Sequence, residues 1–189
     1  MRCSTHRGSL FTAAGILFLG AMAARAGTTD PLSHFGWFAD MAGSCWTGRH
    51  PDGKTTDTQC YSTQYGRLLR GTIRLQGMDG GQAVSGFEGD SVYAWDAKAG
   101  KIRYSFWASD GSYGTAEAYL DGDTIVFPIG DPKDATRVIA RSVWRRIDAD
   151  TFTVTRERLI DGAWQEQFKV TYSRETGSEF NSDPVTGAS

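Results

Sequence analysis

From Cys45 to Arg174 the chain alternates apolar and polar residues in short runs, and each run stops at a Gly- or Asp-containing turn. In Lys101–Trp107, Ile102, Tyr104 and Phe106 fall on one face, and Arg103, Ser105 and Trp107 on the other. The same period of two runs through Arg137–Arg146, Thr151–Leu159 and Trp164–Tyr172. Asp52-Gly53, Asp110-Gly111, Asp121-Gly122 and Asp161-Gly162 punctuate the runs as hairpin turns do. About ten strands are predicted in this way, which makes the chain all-β. Consecutive hairpins fit a single up-and-down antiparallel β-barrel better than a sandwich, which needs longer Greek-key crossings. Gly77–Gly81 and Pro128–Asp134 read as loops. Ahead of the strands, Phe35, Phe38 and Met41 recur at helical spacing, predicting a short helical plug at one barrel end.

The ends of the chain follow other patterns. Residues 1–26 have a basic start at Arg2 and Arg7, an apolar run from Leu10 to Met22, and the small-x-small stretch Ala24-Arg25-Ala26. This is the layout of a secretory signal peptide. The apolar run is shorter than the ~20 residues of a spanning helix. Residues 27–175 are then the barrel domain. Residues 176–189, rich in Gly, Ser, Asp and Thr, read as a flexible tail. The expected location is periplasmic or secreted. Losing Arg2, Arg7 and Arg25 moves the formal net charge from −2 to about −5. Such a surface has no evident attraction for nucleic acid, and no stable membrane insertion is expected. Two cysteines, Cys45 and Cys60, then remain. An even pair in an oxidising compartment is expected to bond, with two buried free thiols as the alternative.

Phe35-Gly36-Trp37-Phe38-Ala39-Asp40-Met41-Ala42-Gly43-Ser44-Cys45-Trp46-Thr47-Gly48 resembles the opening of lipocalin-like domains. Gly86-Phe87-Glu88-Gly89, Tyr93-Ala94-Trp95-Asp96, Leu120-Asp121-Gly122-Asp123 and Tyr172-Ser173-Arg174 extend the likeness over most of the mature chain. The chain thus resembles bacterial lipocalin-like domains of the calycin superfamily that are of unknown function. The resemblance implies a barrel whose central cavity receives a small, often hydrophobic molecule, with Trp46 across the closed end. The spacing here is Gly-x-x-Trp rather than Gly-x-Trp, which keeps a ten-stranded fatty-acid-binding-like barrel open.

Candidate chemistry is sparse. Histidine is confined to His6, His34 and His50. The related haem-carrying barrels ligate iron through a late histidine, so no haem, other cofactor or metal is expected. No nucleophile elbow or phosphate loop is present. Glu88 sits in a segment with an inward option. On the last strands, Phe152, Val154, Arg156 and Arg158 share one face, as do Phe168, Val170, Tyr172 and Arg174. In a fatty-acid-binding-like barrel, an Arg–Tyr pair there holds a carboxylate. Arg156 with Tyr172 is the candidate pair here, and Arg141 a third member. The plainer alternative has these arginines facing water beside Glu157, Glu166 or Glu175. Tyr93, Tyr104 and Phe106 are candidate walls of an apolar pocket, or ordinary core.

The sequence therefore favours an exported barrel that binds a small hydrophobic or amphipathic molecule without transforming it. Two alternatives accompany it. One is a hydrolase- or isomerase-type enzyme in the same cavity, using Glu88 or a tyrosine as acid or base. The other is a structural envelope interaction module using an exposed edge or the Gly77–Gly81 loop.

Overall fold

The computed structural model describes residues 30–79, 82–131 and 133–176. The expected signal peptide and nearly all of the C-terminal tail lie outside them. Ten strands follow one another: β1 (Ser44–Arg49), β2 (Thr56–Gln64), β3 (Leu68–Asp79), β4 (Gln82–Asp96) and β5 (Lys101–Ala108). β6 (Tyr113–Asp121), β7 (Thr124–Asp131), β8 (Asp134–Arg146), β9 (Thr151–Ile160) and β10 (Ala163–Arg174) complete the set. Each pairs antiparallel with the next, and β1 closes on β10 through Trp46–Arg174, Thr47–Ser173 and Gly48–Tyr172. The fold is thus a closed up-and-down β-barrel. Closure pairs both sheet edges, which takes away the exposed edge an interaction module would use.

Two expected loops are strand instead. β3 runs to Asp79, which pairs with Gln82 at the start of β4. Only Gly80 and Gly81, outside the described residues, separate the strands. A register shift between Arg74 and Gln76 lets the fifteen-residue β4 stay paired. Gly86 is what permits it, because a Cβ there would stand 2.2 Å from the Leu75 carbonyl oxygen. Pro128 also belongs to a strand, opposite Arg141. Proline removes a ladder donor, but the β7–β8 ladder is already irregular at Ile129–Asp131, where bulges tolerate it.

The plug is a 3-10 helix, Pro31–Met41, kinked at Gly36, whose φ of 56° suits glycine. Asp30 caps it by accepting the Leu32 N–H at 2.9 Å. Phe35, Phe38 and Met41 point into the barrel and are buried. Phe38 meets Tyr61, Tyr93 and Trp144 edge-on, with centroids 5.0–5.8 Å apart. Trp46 lies in the same end, against Phe152 at 5.3 Å. The Arg174 guanidinium covers it at 4.5 Å, donates a hydrogen bond to the Ser44 hydroxyl and forms an ion pair with Asp150. Cys45 and Cys60, directly opposite on β1 and β2, form the disulfide.

Candidate functional site

Strand alternation sorts the candidate residues into two sets. Tyr93, Tyr104, Phe106, Arg156 and Tyr172 face the barrel interior. Tyr93 stacks on Tyr104 at 5.3 Å, and Tyr104 meets Phe127 at 5.6 Å. Phe106 lies over Gly114, where an added Cβ would stand 2.8 Å from its ring. Glu88 and Arg141 face the other way, so their inward placement is corrected. Glu88 follows Phe87 and precedes Gly89, and the inward parity belongs to Gly89, Ser91 and Tyr93, opposite Ile73, Gly71 and Leu69. Its carboxylate pairs with exposed Arg74 at 2.9 Å. Arg141 pairs with Glu157 at 2.5 Å and stacks on Trp164 at 4.3 Å, both on the outer face.

The interior tapers in chemistry. At the plug end large aromatic side chains fill it, and the core residues there are fully or almost fully buried. Toward the other end the inward positions include Gly89, Ser91, Gly114, Ala116, Ala140 and Ser142. Over Gly89 and Gly114 the Ile73 and Phe106 side chains take the space that a Cβ would occupy. The larger inward side chains at that end, Ile73, Phe106, Ile129, Arg156 and Phe168, are only half-buried although they point inward. These partly accessible inward side chains mark the barrel end, or mouth, where the β1–β2, β5–β6 and β9–β10 hairpins turn.

A polar cluster is built into the wall beside this mouth. Asp57, Gln59 and Tyr61 occupy successive inward positions of β2. Tyr172 donates its hydroxyl to Asp57 Oδ2 at 2.5 Å, and Gln59 Nε2 donates to the same oxygen at 3.1 Å. Tyr61 donates to Gln59 Oε1 at 2.7 Å. Asp57 is 4% exposed, and its Oδ1 is buried with no partner among the described residues. Burial pushes its pKa up, against the lowering effect of the Tyr172 and Gln59 hydrogen bonds and the charge of His50. Burial likewise pushes Tyr61 and Tyr172 up, and the negative Asp57 reinforces the rise in both, so both phenols stay protonated as donors. His50, at the β1–β2 turn, packs its ring 5.5 Å from Phe168, and its Nε2 is also buried and unpartnered among the described residues.

Arg156 stands opposite Phe168 on β10 and Ser142 on β8. No carboxylate pairs with it among the described residues, in contrast to Arg141 one strand over. Burial lowers its pKa, and the Tyr104 phenol across the barrel acts in the opposite direction. Arg158, two positions on, continues the same face toward the mouth. The expected Arg156–Tyr172 pair therefore shares the interior but not a partner, because Tyr172 is committed to Asp57.

Sequence reading passed over Asp57, Gln59 and His50. One signal pointed to the first two. Trp46 faces inward, so its neighbour Cys45 faces outward, and the disulfide fixes Cys60 outward too. Asp57, Gln59 and Tyr61, of opposite parity to Cys60, must then point inside. In chemical terms the interior offers an apolar aromatic wall, the Arg156 guanidinium without a carboxylate partner among the described residues, and one hydrogen-bonded carboxyl group. Among the described residues no three His, Cys, Asp or Glu side chains gather as metal ligands, and no helix is long and apolar enough to cross a membrane.

No family model matches the chain, and no curated protein matches it. Among solved structures it is similar to a de novo designed fluorescence-activating β-barrel. The identity is 14%, with 78% of this chain and 99% of that chain covered, at a TM-score of 0.33. A likeness of that degree carries no argument about this protein. The fold stands on its own strand pairing, as a closed ten-stranded antiparallel barrel with a helical plug at one end.

Proposed function

We propose that this protein is an exported, lipocalin-like carrier that binds a small amphipathic molecule in the open half of its barrel, acidic end against Arg156, without transforming it. The observation that carries this reading is Arg156. It is an inward, half-buried side chain opposite Phe168 and within reach of the Tyr104 phenol's influence, with no carboxylate partner among the described residues. Removing a cation from water is costly unless an anion meets it. A ligand carboxylate supplies that anion with two parallel hydrogen bonds. An alkyl or aromatic tail then gains about 0.8 kcal/mol per buried methylene along the aromatic wall. Export is supported by the signal-peptide layout of residues 1–26 and by the Cys45–Cys60 disulfide, which belongs to an oxidising compartment.

The test is a titration with decanoate, followed by intrinsic tyrosine and tryptophan fluorescence. Wild type is expected to saturate at one equivalent. Arg156→Gln is expected to bind about tenfold more weakly, the loss of a charge-assisted bond. Equal affinity in the two proteins, or no saturable binding, rules the reading out. The enzyme alternative moves from Glu88 to Asp57, whose raised pKa beside a phenol suits acid–base work. Conversion of an added ligand during the titration would favour it.

A further inference from the structure

We propose that Asp57 Oδ1 and His50 Nε2 form a second polar subsite in the barrel, which takes a hydroxyl group of the ligand. This rests on the carrier reading for the carboxylate at Arg156 and adds to it. The ligand class becomes a hydroxylated amphipathic acid.

The argument begins with what the fold leaves undone. Asp57 is 4% exposed, and its Oδ2 is saturated by Tyr172 at 2.5 Å and Gln59 at 3.1 Å. Its Oδ1 is buried with no partner among the described residues. A buried acceptor left bare costs about 1–3 kcal/mol, and nearly every such atom in a native protein has a partner. The Tyr61–Gln59 hydrogen bond holds the Gln59 amide with its nitrogen toward Asp57, so the carboxyl cannot rotate without losing two bonds. Oδ1 is therefore held in place on the inward side of β2, buried and without a partner among the described residues. His50 supplies the second bare atom, Nε2; its backbone N–H bonds to the Thr55 carbonyl at 2.9 Å, two residues before Asp57, and Gly48, two residues before His50, pairs with Asp57. No hydrogen bond joins the two among the described residues.

Position ties this pair to Arg156. The His50 ring packs on Phe168, and Phe168 is the residue directly opposite Arg156. The order around the wall is Arg156 on β9, Phe168 on β10, His50 at the end of β1 and Asp57 on β2. One molecule can span that arc. Between a carboxyl oxygen and an imidazole nitrogen, a hydroxyl is the best match because it both donates and accepts. It donates to Oδ1 and accepts from a protonated Nε2. It also suits Asp57 in either protonation state, whereas an ammonium ion needs the carboxylate charged.

Three ten-carbon probes separate the possibilities: 1-decanol, decylamine and decanoate. Wild type is expected to bind 1-decanol saturably and more tightly than decylamine. Asp57→Ala and His50→Phe are each expected to weaken 1-decanol about tenfold, the cost of a hydrogen bond to a buried partner, and to weaken decanoate by less than that. His50→Phe retains the packing on Phe168 and serves where Asp57→Ala disturbs folding. Arg156→Gln should weaken decanoate more than 1-decanol. If both subsite variants bind 1-decanol as wild type does, or if wild type shows no saturable 1-decanol binding or prefers decylamine, the subsite is disproved. Saturable 1-decanol binding that both variants weaken, without decanoate binding, upholds the subsite and removes only the carboxylate reading.

Discussion

Tyr172 on β10 reaches Asp57 on β2 by passing its ring over Gly48 of β1, the strand between them. A Cβ on Gly48 would stand 2.9 Å from the Tyr172 ring and 2.6 Å from Val170. The absence of a side chain at this position is what lets one wall residue hydrogen-bond across a neighbouring strand. Gly48→Ala is expected to cost about 1–3 kcal/mol, the usual penalty of overpacking, and to be seen as a lower urea midpoint. An unchanged midpoint would mean that the Tyr172 ring does not lie over β1.

Asp57 gives the stability a specific pH dependence. Burial raises its folded-state pKa above the value of about 3.9 for an unfolded aspartate. In the window between the two values the folded state holds more protons than the unfolded state. Stability therefore falls as pH rises through that window, and the loss persists above it. Tyr172, Gln59 and His50 are the polar groups that face the carboxyl. Asp57→Asn removes the titration but keeps an acceptor for Tyr172. The melting temperature of the variant, relative to wild type, is expected to be higher at pH 7.5 than at pH 4. A difference independent of pH would place Asp57 in a water-like environment.

The plug is predicted to be integral to the barrel rather than an appended turn. Phe38 is fully buried and contacts Tyr61, Tyr93 and Trp144. Phe38→Ala should cost about 3–5 kcal/mol, as other large-to-small changes in cores do. Chemical denaturation measures it. A cost below about 1 kcal/mol would contradict the packing described.

The Cys45–Cys60 bond closes a segment with a separation of 15 residues. The chain-entropy relation gives about 3 kcal/mol for such a loop. Reduction, or the double change Cys45→Ser and Cys60→Ser, should lower the unfolding free energy by about that much while the β circular-dichroism signal persists. Loss of the β signal on reduction at room temperature would mean the bond decides the fold rather than reinforces it.

How much of this was legible in the sequence depended on what the interior needed. Ile102, Tyr104 and Phe106 read correctly because β5 is apolar inside and polar outside. On β8 the rule is blurred: inward Ala140 and Ser142 are small and outward Val143 is apolar, so only Trp144 marks the inner face and Arg141 reads either as a ligand anchor or as a water-facing partner of a glutamate. Glu88 was ambiguous because glycines flank it and the β3–β4 register shifts nearby. Asp57 and Gln59 were missed because buried polar residues break the inside-apolar rule, although the disulfide parity exposes them. The Pro128 strand was hidden because proline reads as a stop, and only the irregular ladder beside it accommodates the ring.

The central claim is that the open half of the barrel is a binding cavity, and methyl NMR tests it most directly. With decanoate or 1-decanol added, the methyl groups of Ile73 and Ile129, which face the interior, are expected to shift saturably. Those of Val92 and Val143, on the outer face, should stay in place. Shifts confined to the outer methyls, or no shift in any of the four up to saturation of the probes, would contradict the account.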